Sequence, residues 1–256
     1  MLIDTHCHLD FSVFKDLSAL LVASRSVGVA HFIVPSTTAE SWSGVVALQK
    51  QHSEINVALG LHPYFLDSFK HHHLEQLEAA LLTNDVVAVG EIGLDKWPRM
   101  PDYELQQEVL LAQLKIAQKH HLPVILHARK SEDDLLKVIR QARFSRGGIV
   151  HAFNGSLEQA KRFKKLGFVL GIGGTVTYPR AKKAQRVLQA LADEDFVLET
   201  DSPDMPVSGY QGQVNTPLRV VDIARVVANL RQQSVADVAR YTSANLQRVL
   251  PNWHKV

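Results

Sequence analysis

The sequence predicts a single α/β domain, a (β/α)8 TIM-type barrel with extra helices at its C-terminal end. Three observations favour this fold. The chain of 256 residues suits one large domain. Eight short apolar segments alternate with helical segments, as in a parallel barrel. No proline- or serine-rich linker divides residues 1–256. An open, doubly wound sheet is the alternative, although no glycine-rich nucleotide-binding motif supports it.

The predicted strands are near-continuous apolar runs, which are typical of parallel strands buried on both faces. They cover residues 2–6, 31–35, 56–62, 86–93, 123–127, 148–153, 168–174 and 196–201. Glycines 171, 173 and 174 in the seventh strand are expected to leave space where the strand ends, so that a bulky substrate can approach.

The segments between the strands have helical features. Residues 104–121 repeat apolar side chains every three to four positions, and residues 156–167 begin with a capping serine and end with glycine. Two more helices are predicted after the last strand, over 217–231 and 234–250.

Composition limits the classes of function. Hydrophobic residues make up 46% of the chain and charged residues 21%, an ordinary balance for a globular domain. The formal net charge of +2 excludes a basic coat that would bind nucleic acid unselectively. Cys7 is the only cysteine, so no intramolecular disulfide can form and a reducing compartment fits. With no signal peptide and no membrane-spanning run, we expect a cytoplasmic protein with no membrane partner and no obligate protein partner.

Metal-ligand residue types stand at the ends of six predicted strands. The C-terminal ends of barrel strands meet at one face, the mouth, so these side chains are expected to converge there. Each of these residues taken alone could be an ordinary polar residue near a loop, but together they indicate one site. They are His6, His8, His62, Glu91, His127, His151 and Asp201.

The number of ligands predicts two divalent cations. Four imidazoles and two carboxylates exceed what one tetrahedral ion uses. Glu91 is the natural bridging ligand, because a carboxylate has two oxygens and the fourth strand lies between the others. Two cations would polarise a substrate oxygen and acidify a water, which Asp201 is placed to orient or deprotonate. Imidazoles favour zinc, whereas carboxylate and phosphate chemistry favours magnesium or manganese, so the metal stays open.

Six motifs, in order, resemble the TatD family of metal-dependent deoxyribonucleases, which lies among the amidohydrolase-type metal barrels. They are DTHCHLD, GLHP, GEIGLD, PVILHAR, HAFNGS and LETDSP, and the resemblance runs from residue 3 to about residue 215. It implies that His6 and His8 hold one ion, that His127 and His151 hold the other, that Glu91 bridges them and that Asp201 completes the first site.

The resemblance makes DNA or a short oligonucleotide the expected substrate of an exonuclease. His62 is not a metal ligand in the family pattern, and we expect it to donate a hydrogen bond to a phosphate oxygen or the leaving group. Tyr64 and Trp97 are candidates to stack on bases, Arg129 to neutralise phosphate, and the Asn154 loop to receive an anion. Tyr64 stands where the family commonly has a second histidine, and the residues after GLD also depart from the pattern.

Two other functions remain open. A small-molecule hydrolase of the amidohydrolase type would open an amide, ester or lactone with the same metals, and the absence of a basic surface is compatible with it. A non-catalytic metal- or nucleic-acid-binding scaffold is the second alternative, although a set of ligands with open coordination positions favours an enzyme.

Overall fold

The computed structural model describes residues 1–253, in which eight parallel strands alternate with helices. The strands are β1 (Leu2–Asp4), β2 (Val29–Pro35), β3 (Ile55–Leu59), β4 (Ala88–Asp95), β5 (Val124–Arg129), β6 (Gly148–Val150), β7 (Phe168–Ile172) and β8 (Phe196–Leu198). The helices are α1 (Leu17–Ser26), α2 (Trp42–Gln51), α3 (His72–Thr83), α4 (Tyr103–Lys119), α5 (Glu132–Gln141), α6 (Leu157–Lys165), α7 (Lys182–Ala190), α8 (Val220–Arg231) and α9 (Val235–Val249). Short 3-10 helices cover Pro63–Ser68, Gly174–Thr177, Asp193–Asp195 and Pro217–Arg219.

The sheet runs from β1 to β8 in sequence order, and its two ends meet. The Thr5 amide donates to the Leu198 carbonyl (3.0 Å), and the Asp201 amide donates to the His6 carbonyl (2.9 Å). The His8 amide donates to the Ser202 carbonyl at 2.7 Å. These bonds close the eight strands into a barrel, which confirms the predicted fold and excludes the doubly wound sheet.

The barrel interior is apolar, and α9 covers one end of it. Each strand or its start contributes an inward side chain, and these form a cluster with residues of α9 and the turn after it: Ile3, Ile33, Ala58, Ala88, Ile125, Ile149, Val169, Val197, Leu246, Val249, Leu250 and Trp253. The Asn245 side chain donates to the Phe196 carbonyl at the start of β8 (2.8 Å), which places α9 at the N-terminal ends of the strands. The opposite end, the mouth, is formed by the loops that follow the strands.

The helices form where the sequence predicts them, within a few residues. Helix α4 begins one residue before the predicted segment and is capped by Asp102, whose side chain accepts from the Leu105 amide at 2.9 Å. Ser156 caps α6 and shares a reciprocal pair of bonds with Gln159, a capping box. Among residues 1–253, no helix is both long enough and apolar enough to cross a membrane.

Candidate metal centre

The six residues expected to ligate metal meet at the mouth of the barrel. His6 and His8 follow β1, Glu91 lies within β4, and His127 lies within β5. His151 comes directly after β6, and Asp201 comes shortly after β8. Apart from the part-buried His127 and Asp201, these residues are buried. Strand order therefore brings together side chains that are up to 195 positions apart.

One oxygen of Glu91 faces the histidines that follow β1. Glu91 Oε2 lies 3.1 Å from His6 Nε2 and 3.5 Å from His8 Nε2. Asp201 Oδ1 completes this group, at 3.5 Å from His6 Nε2 and 3.7 Å from His8 Nε2. Two imidazoles and two carboxylate oxygens thus surround one point.

The other oxygen of Glu91 faces a second set of histidines. Glu91 Oε1 lies 3.0 Å from His127 Nδ1, 2.9 Å from His151 Nε2 and 3.1 Å from His62 Nε2. His127 Nδ1 and His151 Nε2 are themselves 3.1 Å apart. The two oxygens of one carboxylate therefore divide the imidazoles into two groups.

Hydrogen bonds fix which nitrogen of His62 and His127 carries a proton. His62 Nδ1 accepts from the Tyr64 amide (3.1 Å), so its Nε2 holds the proton and donates toward Glu91. His127 Nε2 lies 3.0 Å from Asp95 Oδ2 and donates to it, which leaves the Nδ1 lone pair facing Glu91. His62 is therefore a hydrogen-bond donor within the site, whereas His127 presents a free lone pair.

Glu199 lies beneath His151, in space that a glycine provides. Glu199 is fully buried, and its Oε1 accepts from the Ala152 amide and lies 3.6 Å from His151 Nδ1. A Cβ atom at Gly171 would overlap the Glu199 carboxylate. Gly171 thus makes room for a buried acid and not for substrate, which corrects the role expected of it.

Asp4 holds the segments that carry the ligands after β1 and β8. Its carboxylate accepts from the Thr200 amide (2.9 Å), the Thr200 hydroxyl (2.5 Å) and the His6 amide (3.3 Å). Asp201, next to Thr200, has a left-handed backbone with φ of 58°. Because a non-glycine residue adopts that conformation at a cost, the surrounding bonds must hold it there.

Burial and the crowding of charges shift the pKa values of the site. Burial lowers the pKa of His6 well below its ordinary value and that of His8 to about 4. Burial raises the pKa of Asp201 to about 7. Burial alone would lower the pKa of His151, but the attraction of Glu91 and the Glu199 carboxylate raise it well above the ordinary value. Burial would raise the pKa of Glu91, but the surrounding imidazoles hold it well below the ordinary value.

The donor set fits divalent cations. His6 and His8 are neutral at pH 7 and keep lone pairs, as metal ligands must. His6, His8 and Asp201 present ligand atoms within 4.8 Å of one another, and so do His62, Glu91 and His127. An ionised carboxylate between two groups of imidazoles suits a pair of ions.

A cleft of about 240 Å³ opens above this centre. His62, Tyr64 and Arg129 line it, and Tyr64 is 56% exposed. Trp97 is 45% exposed and lies under the guanidinium of Arg129, with 3.8 Å between the guanidinium carbon and the ring centre. Trp97 contacts the cleft residue Arg129 but does not line the cleft itself, and Asn154 is exposed and lines a separate pocket.

Two acids of the site are absent from the sequence interpretation. Asp95 lies four residues after Glu91 in β4, and Glu199 lies two residues before Asp201. Even spacing within β4 places Glu91 and Asp95 on one face of the strand, which is a sequence signal for Asp95 but does not show its contact with His127. Glu199 has no such signal, because Asp201 lies beyond β8 with a left-handed backbone.

Comparisons with known proteins agree on one family. The sequence profile described as "TatD related DNase" matches residues 3–251. The "uncharacterized metal-dependent hydrolase YjjV" of Escherichia coli K12 is 45% identical over 241 residues, 93% of each chain. A Haemophilus influenzae protein, also named an uncharacterized metal-dependent hydrolase, is 34% identical over 94% of this chain and 96% of its own. The crystal structure of YjjV, titled a TatD homolog, superposes with a TM-score of 0.94 at 43% identity and covers 98% of both chains.

Proposed function

The chain belongs to the family of TatD-related DNases and is a metal-dependent hydrolase, and on that premise we propose that it hydrolyses phosphodiester bonds of DNA. It acts as an exonuclease, with a water activated by two divalent cations. The observation that carries the proposal is the position of Glu91, whose two oxygens face two separate groups of imidazoles. This arrangement supports a two-metal site of the kind that clamps the attacking and leaving oxygens of a phosphoryl transfer.

In this proposal the chain provides two half-sites. His6, His8 and Asp201 would hold one cation together with Glu91, and His127 and His151 would hold the other together with Glu91. Zinc, magnesium and manganese all suit parts of this donor set. When bound, the cations would polarise a phosphate oxygen and lower the pKa of a water to near neutrality.

His62 and Asp201 perform the proton chemistry. His62 lines the cleft and its Nε2 proton faces Glu91 Oε1 (3.1 Å); in the proposed reaction this proton shifts from Glu91 to a phosphate oxygen or to the leaving oxygen. Asp201 lines the same cleft, and its carboxylate orients the attacking water and takes its proton. Asp95 keeps the His127 ring in one orientation through its bond to Nε2.

The rim of the cleft supports a nucleic acid of a few nucleotides. Arg129 can neutralise a phosphate, and the partly exposed rings of Tyr64 and Trp97 can contact bases, although Arg129 already covers one face of the Trp97 ring. The net charge of +2 favours few phosphate contacts over a long duplex tract. Cys7 is a buried free thiol, which fits the reducing cytoplasm that we propose as the compartment.

A small-molecule hydrolase is the second candidate. The cleft of about 240 Å³ is favourable for a compact amide, ester or lactone. Such a substrate would use the same metal ligands but would not need Arg129 or the exposed rings of Tyr64 and Trp97.

The test separates these candidates. The purified protein is stripped of metal, reloaded with zinc, manganese or magnesium, and assayed on a labelled single-stranded DNA ladder and on a panel of esters, amides and lactones. Stepwise shortening of the DNA, lost in Glu91→Gln and Asp201→Asn variants with unchanged circular dichroism, supports the nuclease. Intact DNA together with hydrolysis of the small-molecule panel would favour the small-molecule hydrolase. Hydrolysis of neither would favour a non-catalytic metal- or nucleic-acid-binding scaffold.

A further inference from the structure

A second concave pocket lies at the mouth, beside the metal cleft. The loops after β6 and β7 and the first turn of α7 enclose about 330 Å³. Asn154, Tyr178, Arg180 and Lys183 provide its polar lining. We name it the β6–β7 pocket. Because His151 and Asn154 belong to the same loop, the pocket begins three residues from a ligand of the proposed metal site.

The β6–β7 pocket carries positive charge that no acid neutralises. Lys183 Nζ donates to the Asn154 carbonyl at 3.0 Å, and the Arg180 guanidinium carbon lies 5.6 Å from the centre of the Tyr178 ring. Within residues 1–253, neither cation forms an ion pair with a carboxylate. Two cations beside a concave surface favour an anionic ligand.

The first turn of α7 adds to the positive electrostatic potential of the pocket. Its N-cap position is Ala181, which offers no side-chain acceptor; the Lys182 amide donates to the Arg180 carbonyl (2.9 Å), and no side chain caps the first turn. The helix runs for nine residues, and its positive end lies in the pocket lining with Lys183 and Ala184. Tyr178 is held beside it, because its hydroxyl donates to the Pro206 carbonyl at 2.8 Å. A phosphate and an adjacent ring are therefore both accommodated.

Positively charged residues are unevenly distributed among the other loops of the mouth. Residues 96–102 and 129–131, at the ends of β4 and β5, carry four cations, of which Lys96 forms an ion pair with Asp134. Residues 199–216, after β8, contain no lysine or arginine and expose Asp204 at the edge of the metal cleft. The half of the mouth from β4 to β7 thus attracts polyanions, whereas the side of β8 does not.

We propose that the β6–β7 pocket is a second phosphate-binding subsite, which takes an internucleotide phosphate of a single-stranded nucleic acid while another phosphate lies at the metal centre. The bound strand then lies across the half of the mouth from β4 to β7. This inference rests on the proposed nuclease function and adds to it a direction of the strand and a dependence on substrate length.

The experiment measures binding against strand length. Fluorescein-labelled phosphorothioate DNA strands, from a dinucleotide to an octanucleotide, are titrated with the metal-loaded protein and followed by anisotropy. Phosphorothioate linkages slow hydrolysis and keep the backbone charge. The test variant is Arg180→Ala/Lys183→Ala. The matched control is Lys161→Ala/Lys165→Ala, which removes the same charge from exposed positions on α6.

For the wild type we expect affinity to rise once a strand is long enough to reach the pocket. The test variant should lack that rise, and the slope of log affinity against log salt should fall by about 0.7 for each phosphate that the variant no longer binds. The control should behave as the wild type does. A rise that persists in the test variant would overturn the subsite and leave the nuclease standing. No binding of any strand by the wild type would overturn both.

Discussion

Asp95 supports the candidate metal centre although it is not one of the proposed metal ligands. Its Oδ2 accepts from His127 Nε2 at 3.0 Å, and its Oδ1 accepts from the Trp97 amide at 2.7 Å. One carboxylate thus fixes both the tautomer of a proposed ligand and the start of the loop that carries an exposed indole. Such partners of ligating histidines influence metal affinity strongly.

We expect Asp95→Asn to weaken metal binding by about 10- to 100-fold, since the neutral amide holds the His127 proton less firmly. Titration of the metal-free protein with zinc against a competing chelator measures this. Asp67→Asn, an exposed substitution of the same type, is the control and should bind as the wild type does. Equal affinity in Asp95→Asn would show that His127 needs no such partner.

Metal affinity should also depend on pH in a defined direction. Burial raises the pKa of Asp201 to about 7, and the carboxylates around His127 and His151 raise the pKa of those imidazoles against the effect of burial. Each of these groups holds its proton more firmly than it would in water, and a cation that binds there must displace that proton. Affinity should therefore rise with pH from 5.5 to 8, by about tenfold per unit for each proton released.

Calorimetric titrations in buffers of different ionisation enthalpy count those protons. Asp201→Asn should release fewer protons below pH 7 than the wild type, and its affinity should depend less steeply on pH. An affinity that is flat over this range would contradict the raised pKa values.

At the scale of elements, Gly171 in β7 lets the residue after β8 pack tightly against the strand. Glu199 reaches under His151 only because β7 has no side chain at that position. The sequence pattern identifies both strands, yet it assigns the glycine to the approach of substrate, because a single chain does not show which face of a strand a neighbour fills. The same limitation applies to Asn154, which the sequence groups with the substrate residues and the fold places in the β6–β7 pocket.

Gly171→Ala should therefore destabilise the protein by about 1–3 kcal/mol, because the new methyl group displaces a buried carboxylate. Denaturant unfolding measures the free energy. The control is Gly44→Ala in the exposed face of α2, where a Cβ meets nothing within 4 Å. At that position the alanine should raise the free energy of unfolding by up to about 1 kcal/mol. Equal stability of the two variants would show that the Glu199 carboxylate can move aside without lowering the free energy of unfolding.

At the scale of the whole molecule, the sequence predicts more of the architecture than of its chemistry. Eight apolar runs that alternate with helical segments predict parallel strands buried on both faces, and their number favours a barrel over the doubly wound sheet. The ligands follow from their positions at strand ends. Asp95 and Glu199 do not, because their importance comes from contacts with His127 and His151 that exist only once the barrel has closed.

Bound metal should stabilise the entire fold, because its proposed ligands lie within β4 and β5 and in the segments after β1, β6 and β8. Occupancy at 100 times the dissociation constant adds about 2.7 kcal/mol. For a domain of this size that corresponds to a rise of about 5–11 °C in the melting temperature. Differential scanning calorimetry with and without chelator measures the shift. The Glu91→Gln variant should show a smaller rise in melting temperature on metal binding. A rise equal to that of the wild type would contradict the proposed role of Glu91 in both half-sites.

The bond between Asp4 and Thr200 joins residues 196 positions apart, and it supports ligands that are equally remote. During synthesis on the ribosome, His6 and His8 emerge long before the acid that completes their half-site. In the proposed two-metal site, a nascent chain must therefore complete its last strand before all of the ligands can meet. Non-local pairing of this kind is slow to form. On that proposal, a fragment that ends before Asp201 should lack hydrolytic activity.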